Sequence, residues 1–207
     1  MARGGFCVLE GIDGSGKSTL ARRLFESLRG DSSLPYAAVR LQAEPADTAP
    51  GRRLRELLKS RAELAPAEWL ELFLEDRALN VAENIQPLRE KGVFIVQDRY
   101  FYSTAAYQGD PGGEFPPEKI LALNRERGFP EPDLLFYLDI LPEKALERIH
   151  AAREELESFE KLSVLNRIYE NYRRILPPWT ILLDAELSEQ ALLDEALARV
   201  REISFPG

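Results

Sequence analysis

Eight residues near the N-terminus have the types and spacing of a loop that binds phosphate groups. Residues 11–18 have the sequence G-I-D-G-S-G-K-S, which matches G-x-x-x-x-G-K-[ST], and they lie between an apolar run and a periodic, charged stretch. Glycines let the backbone turn tightly and approach a phosphate chain, where free N–H groups and a helix N-terminus form an anion site. A lysine then supplies positive charge to the β- and γ-phosphates, and a serine hydroxyl can ligate Mg²⁺. This phosphate loop therefore predicts a nucleotide site, with Lys17 and Ser18 in those two roles.

A phosphate loop is shared by phosphotransferases and GTPase-like switch proteins, and a glycine-rich turn that binds nothing is the third possibility. A switch protein is expected to carry the guanine-binding motif N-K-x-D, but no asparagine in the chain is followed by lysine. The position between a predicted strand and a predicted helix favours a ligand site over an empty turn. We therefore favour a phosphotransferase, of which the loop defines only the phosphate donor.

A second chemically active segment, D-R-Y-F-Y-S-T-A-A-Y-Q at 98–108, directly follows an apolar run. Asp98, at the end of the predicted strand, could reach Mg²⁺ through water or orient an attacking oxygen. Arg99 could bind a phosphate group through two parallel hydrogen bonds. The alternative is a surface ion pair, which is disfavoured because the two residues follow a buried strand. The segment is therefore the predicted site of the phosphate acceptor.

Short apolar runs alternate with longer periodic, charged stretches along the chain. The runs predict strands at 6–9, 37–41, 93–96, 134–138 and 180–183. The stretches predict helices at about 17–29, 51–60, 66–90, 116–127, 142–152, 159–175 and 188–203. Strands that alternate with helices form a parallel sheet covered on both faces, and ligands bind beyond the carboxyl ends of its strands. Both chemically active segments lie at that edge.

Composition excludes several other classes of protein. The 207 residues are 44% hydrophobic and 30% charged, as in an ordinary globular domain. The net charge of −8 argues against a general nucleic-acid binder, which normally has a basic face. No apolar stretch approaches about 18 residues, so we expect no membrane span and a soluble, cytoplasmic protein. The one cysteine, Cys7, is expected to be a buried strand thiol.

Several motifs, in this order and spacing, resemble those of the thymidylate kinases over most of the chain. Besides the phosphate loop and residues 98–108, the matches are Glu44-Pro45 with Thr48, Leu72-Phe73 with Arg77, Pro132-Asp133 before L-L-F-Y-L-D, and Asp184-Ala185. The resemblance implies an α/β fold of the P-loop NTPase type: a three-layer α/β/α sandwich with a five-stranded parallel sheet and a short helical lid at about 150–158. It implies one kinase domain over residues 1–207 that phosphorylates dTMP to dTDP with ATP and Mg²⁺. It also implies a homodimer, for which the 66–90 helix could supply a face.

The same resemblance assigns the phosphate donor to a set of residues in and beside the phosphate loop. The predicted ATP-binding residues are Gly11, Ile12, Asp13, Gly14, Ser15, Gly16, Lys17, Ser18, Thr19 and Arg148. Ser18 and Asp98 are the predicted metal residues. The predicted catalytic residues are Lys17, Asp98, Arg99 and Arg153.

The acceptor, dTMP, is assigned by resemblance to seven residues that are far apart in sequence. They are Asp13, Glu44, Phe73, Arg77, Arg99, Tyr107 and Gln108. Phe73 would stack on the thymine ring and Arg77 would donate to a base carbonyl, although periodicity alone makes Phe73 a core aromatic. Tyr107 would close the sugar side and disfavour a 2′-hydroxyl, and Gln108 would meet the base edge. Asp13 would face the acceptor sugar or phosphate, unless it only stabilises its own turn.

The sequence departs from the family pattern at the acceptor edge and in the lid. Ala43 stands where the family usually has arginine, and Asp47 places a negative charge where glycine is usual. The candidates to replace the missing arginine are Arg40, Arg52 and Arg53. In the lid, the usual D-R-[FI]-E is E-S-F-E at 157–160, which leaves Arg148 and Arg153. Two alternatives therefore stay open: a related kinase acting on another nucleotide or deoxynucleoside, and a catalytically silent nucleotide-binding protein.

Overall fold

A five-stranded parallel sheet lies at the centre of the computed structural model, which describes residues 3–152 and 158–203. Its strands are β1 (Phe6–Glu10), β2 (Ala38–Ala43), β3 (Val93–Asp98), β4 (Leu134–Asp139) and β5 (Ile181–Asp184). They lie in the order β2-β3-β1-β4-β5, and every neighbouring pair is parallel. The predicted α/β fold with a five-stranded parallel sheet is confirmed.

Helices flank this sheet. In the described residues they are α1 (Lys17–Arg29), α2 (Ala49–Ser60), α3 (Pro66–Asn80), α4 (Gln86–Glu90), α5 (Phe101–Gln108), α6 (Pro117–Glu126), α7 (Pro142–Ala152), α8 (Ser158–Ile175) and α9 (Glu189–Glu202). The central strands β1, β3 and β4 are buried almost throughout, because helices cover both faces of the sheet. The edge strands β2 and β5 are partly exposed.

Local sequence explains where several helices begin. Proline is the first residue of α3 and of α7, where its missing N–H has no partner to lose. Thr48 precedes α2, and its hydroxyl accepts a hydrogen bond from Gly51 N at 2.9 Å. The same hydroxyl donates to the buried carboxylate of Asp76 at 2.5 Å. The start of α2 is therefore fixed against α3, and so is the loop at 44–48.

The predicted helix at 66–90 is interrupted, and one helix was not predicted. A π-helical turn at Val81–Ile85 separates α3 from α4, and we attribute it to Pro87, which cannot donate in the α-helical pattern and whose ring would crowd the carbonyl of residue 83. Helix α5 escaped prediction because all of its residues from Phe101 to Ala106 are buried. A helix that is buried on every side has no apolar period to detect.

The predicted lid at about 150–158 lies largely outside the described residues. Helix α7 extends to Ala152 and α8 begins at Ser158, so Arg153 is one of the residues that the structure does not describe. Among the helices it does describe, none combines the length and apolar character that a membrane span requires.

Candidate active site

The phosphate loop joins the end of β1 to the start of α1 and exposes its backbone where two glycines have left-handed conformations. Gly14 has a φ of 83°, and a Cβ there would collide with the carbonyl oxygen of Ala145. Gly16 has a φ of 91° and lies immediately before the first residue of α1. No atom of the described chain would crowd a Cβ at Gly16, so a ligand can approach the backbone closely there. The loop thus presents N–H groups at a helix N-terminus.

Lys17 is held inside the phosphate loop. Its ammonium donates to the carbonyl of Ile12 at 3.3 Å and lies 3.6 Å from Asp13 Oδ1. Burial, together with the positive charge of Arg99, lowers the pKa of Lys17 to about 8. An anion beside this ammonium would raise the pKa of Lys17 again, because an opposite charge favours the protonated form.

Ser18 and Asp98 come together at the carboxyl edge of the sheet. The Ser18 hydroxyl donates to Asp98 Oδ2 at 2.5 Å, although the two residues are 80 positions apart. The other carboxylate oxygen, Asp98 Oδ1, is buried and has no hydrogen-bond partner among the described residues. A hydroxyl beside an unpaired carboxylate oxygen is the hard oxygen chemistry that Mg²⁺ prefers. These residues fit the cation that accompanies a nucleotide triphosphate.

A cleft of about 350 Å³ lies on one side of the phosphate loop. Its lining includes the predicted residues Ser15, Gly16, Thr19 and Arg148, together with Arg23, Leu187, Glu189 and Leu192. Arg148 belongs to α7, and its guanidinium donates to the carbonyl of Ala185 at 2.8 Å. We call this the donor cleft, because it continues from the exposed backbone of the phosphate loop.

A second cleft, of about 230 Å³, lies on the other side of the loop. All seven residues predicted to bind the acceptor line it: Asp13, Glu44, Phe73, Arg77, Arg99, Tyr107 and Gln108. Pro45, Leu58, Tyr100, Ser103 and Thr104 complete the lining. We call this the acceptor cleft. It meets the phosphate loop at Asp13.

Arg99 lies at that meeting point, and several contacts fix its orientation. It is a non-glycine residue with a φ of 66°. Its Nη2 donates to Asp13 and, at 3.1 Å, to the Tyr107 hydroxyl, while its guanidinium lies 4.7 Å from the centre of the Tyr107 ring. Burial alone would raise the pKa of Asp13, but the charges of Arg99 and Lys17 outweigh it and the pKa is lowered. One carboxylate therefore holds two cations between the clefts.

Arg77 and Glu44 form an ion pair deep in the acceptor cleft. Arg77 Nη2 and Nε donate to Glu44 Oε2 at 2.5 and 3.0 Å, and both residues are buried. Further bonds run from Nη1 to Asn124 at 2.7 Å and from Nη2 to Thr104 at 2.9 Å. Burial raises the pKa of Glu44 to about 7 against the opposing pull of Arg77. Of the five guanidinium N–H groups, one on Nη1 has no partner among the described residues.

Comparison with known proteins decides the family. The model of the family described as thymidylate kinase matches residues 9–196. A thymidylate kinase of Leptospira interrogans serogroup Icterohaemorrhagiae serovar copenhageni (strain Fiocruz L1-130) is 43% identical over 93% of this chain and 91% of its own. A probable thymidylate kinase of Archaeoglobus fulgidus is 35% identical over 94% and 92%, and a thymidylate kinase of Xylella fastidiosa (strain 9a5c) is 33% identical over 94% and 89%.

This chain belongs to the thymidylate kinase family. It is an enzyme, a phosphotransferase, and the resemblance found in its motifs extends over nearly its whole length. Members of a family can still differ in their site residues. The positions of the residues that depart from the family pattern therefore show whether they reach either cleft.

One departure at the acceptor edge, Asp47, lines neither cleft. Its carboxylate is exposed and pairs with Arg52 at 2.9 Å and Arg55 at 3.5 Å. These arginines hold its pKa below the ordinary value, with the Arg52 hydrogen bond as the largest cause. Its negative charge is thus compensated locally rather than directed at a phosphate.

The other departure at the acceptor edge, Ala43, lies beside Asp98. Ala43 is exposed and pairs with Asp98 in the parallel register of β2 and β3. Of the candidates to replace the missing arginine, Arg40 donates to the carbonyl of Val39 and Arg52 pairs with Asp47, and neither lines the acceptor cleft. Arg53 is exposed and does not line it either. The described arginines of that cleft are Arg77 and Arg99.

Sequence reasoning overlooked Glu10, which is completely buried behind the acceptor cleft. Both of its carboxylate oxygens accept hydrogen bonds from the segment that begins α5. The available signal was a charged residue at the end of an otherwise apolar strand, directly before the first glycine of the phosphate loop. Acidic residues are almost never fully buried unless they are paired, so this position predicts a partner.

Proposed function

We propose that this thymidylate kinase transfers the γ-phosphate of ATP to dTMP, with ATP in the donor cleft and dTMP in the acceptor cleft. One observation supports this above all: seven residues between positions 13 and 108 converge on a single cleft that meets the phosphate loop at Asp13. The names of the relatives support the same reaction.

The nucleoside part of dTMP would bind in the inner half of the acceptor cleft. The free N–H of Arg77 would donate to a thymine carbonyl, since Glu44, Asn124 and Thr104 hold the rest of the guanidinium. Phe73 is partly exposed in the lining and would stack on the ring. Tyr107 and Gln108, on the last turn of α5, would contact the sugar and the base edge.

The phosphate of dTMP would bind Arg99 at the boundary between the clefts. Asp13 now holds Arg99 Nη2, so an arriving phosphate would share or replace that contact. A phosphate dianion needs no general base, because its attacking oxygen carries no proton to remove. Catalysis is then mostly alignment of that oxygen with the γ-phosphorus and neutralisation of charge.

On the donor side, the phosphate loop would hold the triphosphate and Lys17 would neutralise its β- and γ-oxygens. Ser18 and Asp98 would hold Mg²⁺, whose chemistry is to neutralise the charge that develops on the phosphate oxygens. Arg148, in the donor cleft, would contact the nucleotide beside α9. Arg153 stays a predicted catalytic residue outside the described residues. From the family resemblance we also propose a homodimer in the cytoplasm.

A coupled ADP-release assay with ATP, Mg²⁺ and a panel of acceptors tests the proposal. We expect dTMP to be the preferred acceptor, with dUMP slower and both UMP and thymidine poor. Turnover of thymidine in preference to dTMP would indicate a nucleoside kinase and contradict the proposal. Binding of ATP without turnover of any acceptor would indicate the silent nucleotide-binding protein.

A further inference from the structure

We propose that Glu10 is a positioning residue that fixes Arg99 and helix α5 from behind the acceptor cleft, with Tyr172 as its support from α8. The kinetic part of this inference rests on the proposed function. Neither Glu10 nor Tyr172 lines the cleft, so both act through other residues.

The first observation is that Glu10 supplies the N-terminal cap that α5 lacks. Tyr100 precedes α5 and its side chain makes no capping hydrogen bond. Instead, Glu10 Oε1 accepts hydrogen bonds from Tyr100 N at 2.9 Å and Ser103 N at 3.1 Å, across 90 and 93 positions of sequence. A carboxylate at this end of a helix satisfies free N–H groups and interacts favourably with the helix dipole.

The second observation concerns the strained backbone of Arg99. A left-handed conformation at a non-glycine residue persists only where its surroundings impose it. Bonds on both sides of Arg99 do so: Arg99 N donates to the carbonyl of Leu9 at 3.0 Å, the Gln97 side chain donates to Arg99 O at 2.9 Å, and the next amide, Tyr100 N, donates to Glu10. Glu10 therefore closes the set of contacts that points Arg99 into the cleft.

The third observation is a chain of side chains from Glu10 to the guanidinium. Ser103 Oγ donates to Glu10 Oε2 at 2.5 Å and accepts from Arg99 Nη1 at 3.2 Å. Ser103 thus links the buried carboxylate of Glu10 to the guanidinium of Arg99. Burial raises the pKa of Glu10, while its hydrogen bonds and Arg99 oppose the shift.

Helix α8 completes the arrangement from the opposite side. The Tyr172 hydroxyl donates to Glu10 Oε2 at 2.9 Å. Its neighbour Asn171 donates to the carbonyls of Ala106 and Gly109, both at 2.9 Å, at the other end of α5. Two adjacent residues of α8 therefore hold both ends of the helix that carries Tyr107 and Gln108.

Glu10 is the last residue of β1 and directly precedes the phosphate loop, and its side chain is bonded to the start of α5. It therefore connects the strand that leads into the donor site with the helix that carries acceptor residues. Loss of a carboxylate oxygen at this position should disturb the acceptor side more than the donor side, because both oxygens accept hydrogen bonds from the acceptor side. The phosphate loop is fixed by its own backbone, whereas Arg99 depends on Glu10.

The kinetic test compares Glu10→Gln, Tyr172→Phe and their double variant. For E10Q we expect kcat/KM for dTMP to fall by about 10²-fold, as for a small misplacement of a reacting group, with KM for ATP nearly unchanged. For Y172F we expect a loss of about threefold to tenfold, the effect of one hydrogen bond. The double variant should be little worse than E10Q alone, because the Tyr172 hydroxyl contacts Glu10 and Ser103, and Ser103 is itself bonded to Glu10.

Tyr137→Phe is the matched control. Tyr137 is buried with its ring centre 5.0 Å from that of Tyr172, but its hydroxyl has no hydrogen-bond partner among the described residues. Y137F should keep the wild-type constants. An equal loss of kcat/KM for ATP and for dTMP in E10Q would overturn the proposal. So would a lowered Tm in E10Q with kcat and both KM values unchanged at temperatures below unfolding.

A crystal structure of E10Q makes the test independent of the acceptor. We expect Arg99 to leave its positive φ or its guanidinium to lose contact with Asp13 and Tyr107. An unchanged Arg99 would overturn the inference, whatever reaction the wild type catalyses. Conversely, if Arg99 is displaced in E10Q but the wild type does not phosphorylate dTMP, the proposed function is contradicted and the inference about Glu10 is supported.

Discussion

The donor and acceptor clefts are built in different ways. The donor phosphate site is built mainly from the backbone of one continuous stretch, residues 11–18, with the side chains of Lys17 and Ser18, and its shape depends on glycines that turn and leave room. The acceptor cleft is lined by side chains from five separate segments, and its polar groups are prearranged by buried partners such as Glu44 and Glu10.

This difference has a consequence for where substitutions matter. A backbone site is fixed by the loop that forms it, so few distant residues affect it. A side-chain site needs a second set of residues to hold the first, and each buried polar member costs stability when its partner is removed. Variants of the acceptor side should therefore change specificity and stability together, and four experiments sharpen or break this contrast.

The largest effect is expected for Arg99→Met. Arg99 would hold the phosphate of dTMP, and removal of one partner of a buried, hydrogen-bonded charge pair typically costs about 2–5 kcal/mol, so kcat/KM for dTMP should fall by about 10³-fold. KM for ATP should change little, because Arg99 lines only the acceptor cleft. Steady-state kinetics with each substrate varied in turn measures both. The control is Arg127→Met, which removes an exposed arginine paired with Glu71. An equal loss for ATP would break the separation of the two clefts.

The next effect is expected for Arg77→Met. It removes one partner of a buried ion pair and leaves Glu44 without its cation, which typically costs about 3 kcal/mol or more. Urea unfolding should show that loss, and KM for dTMP should rise because the base loses its donor. The double variant Arg77→Met with Glu44→Leu should recover part of the stability but not the affinity. An unchanged free energy of unfolding in R77M alone would show that the Arg77–Glu44 ion pair does not stabilise the acceptor cleft.

A smaller effect concerns pH and belongs to the donor side. With its pKa lowered to about 8, Lys17 loses its proton in the free enzyme as the pH rises above that value. Since kcat/KM reports the free enzyme, its value for ATP should fall by about tenfold for each pH unit above 8. Bound phosphates should keep Lys17 protonated, so kcat should hold to higher pH. In Lys17→Arg, whose side chain stays charged, the fall of kcat/KM for ATP above pH 8 should disappear. If the fall persists in this variant, it is caused by a group other than Lys17.

The smallest effect is expected for Asp47→Asn. The Asp47 carboxylate is exposed and paired with surface arginines, and such pairs contribute little. Both KM values should stay within about twofold of the wild type. An improvement in KM for dTMP of about tenfold would instead mean that this charge reaches the acceptor phosphate.

The sequence predicts more of the donor side than of the acceptor side. The phosphate loop is local, so its pattern placed Lys17 and Ser18 correctly at the start of α1. The parallel sheet could be predicted because short apolar runs alternate with periodic, charged stretches. The same pattern placed Asp98 at the end of a strand, where the structure has it. The partners of Arg77 could not be predicted, because Glu44, Asn124 and Thr104 approach it only in the folded chain. Helix α5 was overlooked because burial on all sides removes the apolar period. Glu10 carried a signal, a charged residue at the end of an apolar strand, but its partners in α5 are 90 or more positions away and have no spacing to detect.

The most direct test of the two-cleft arrangement is a calorimetric titration with adenosine and thymidine joined by a five-phosphate chain. Such a compound fills both clefts at once and spans the boundary at Arg99 and Asp13. We predict one site per chain, binding at least about 10²-fold tighter than ATP or dTMP alone, and displacement by either nucleotide. Binding no tighter than ATP, with no displacement by dTMP, would contradict the account.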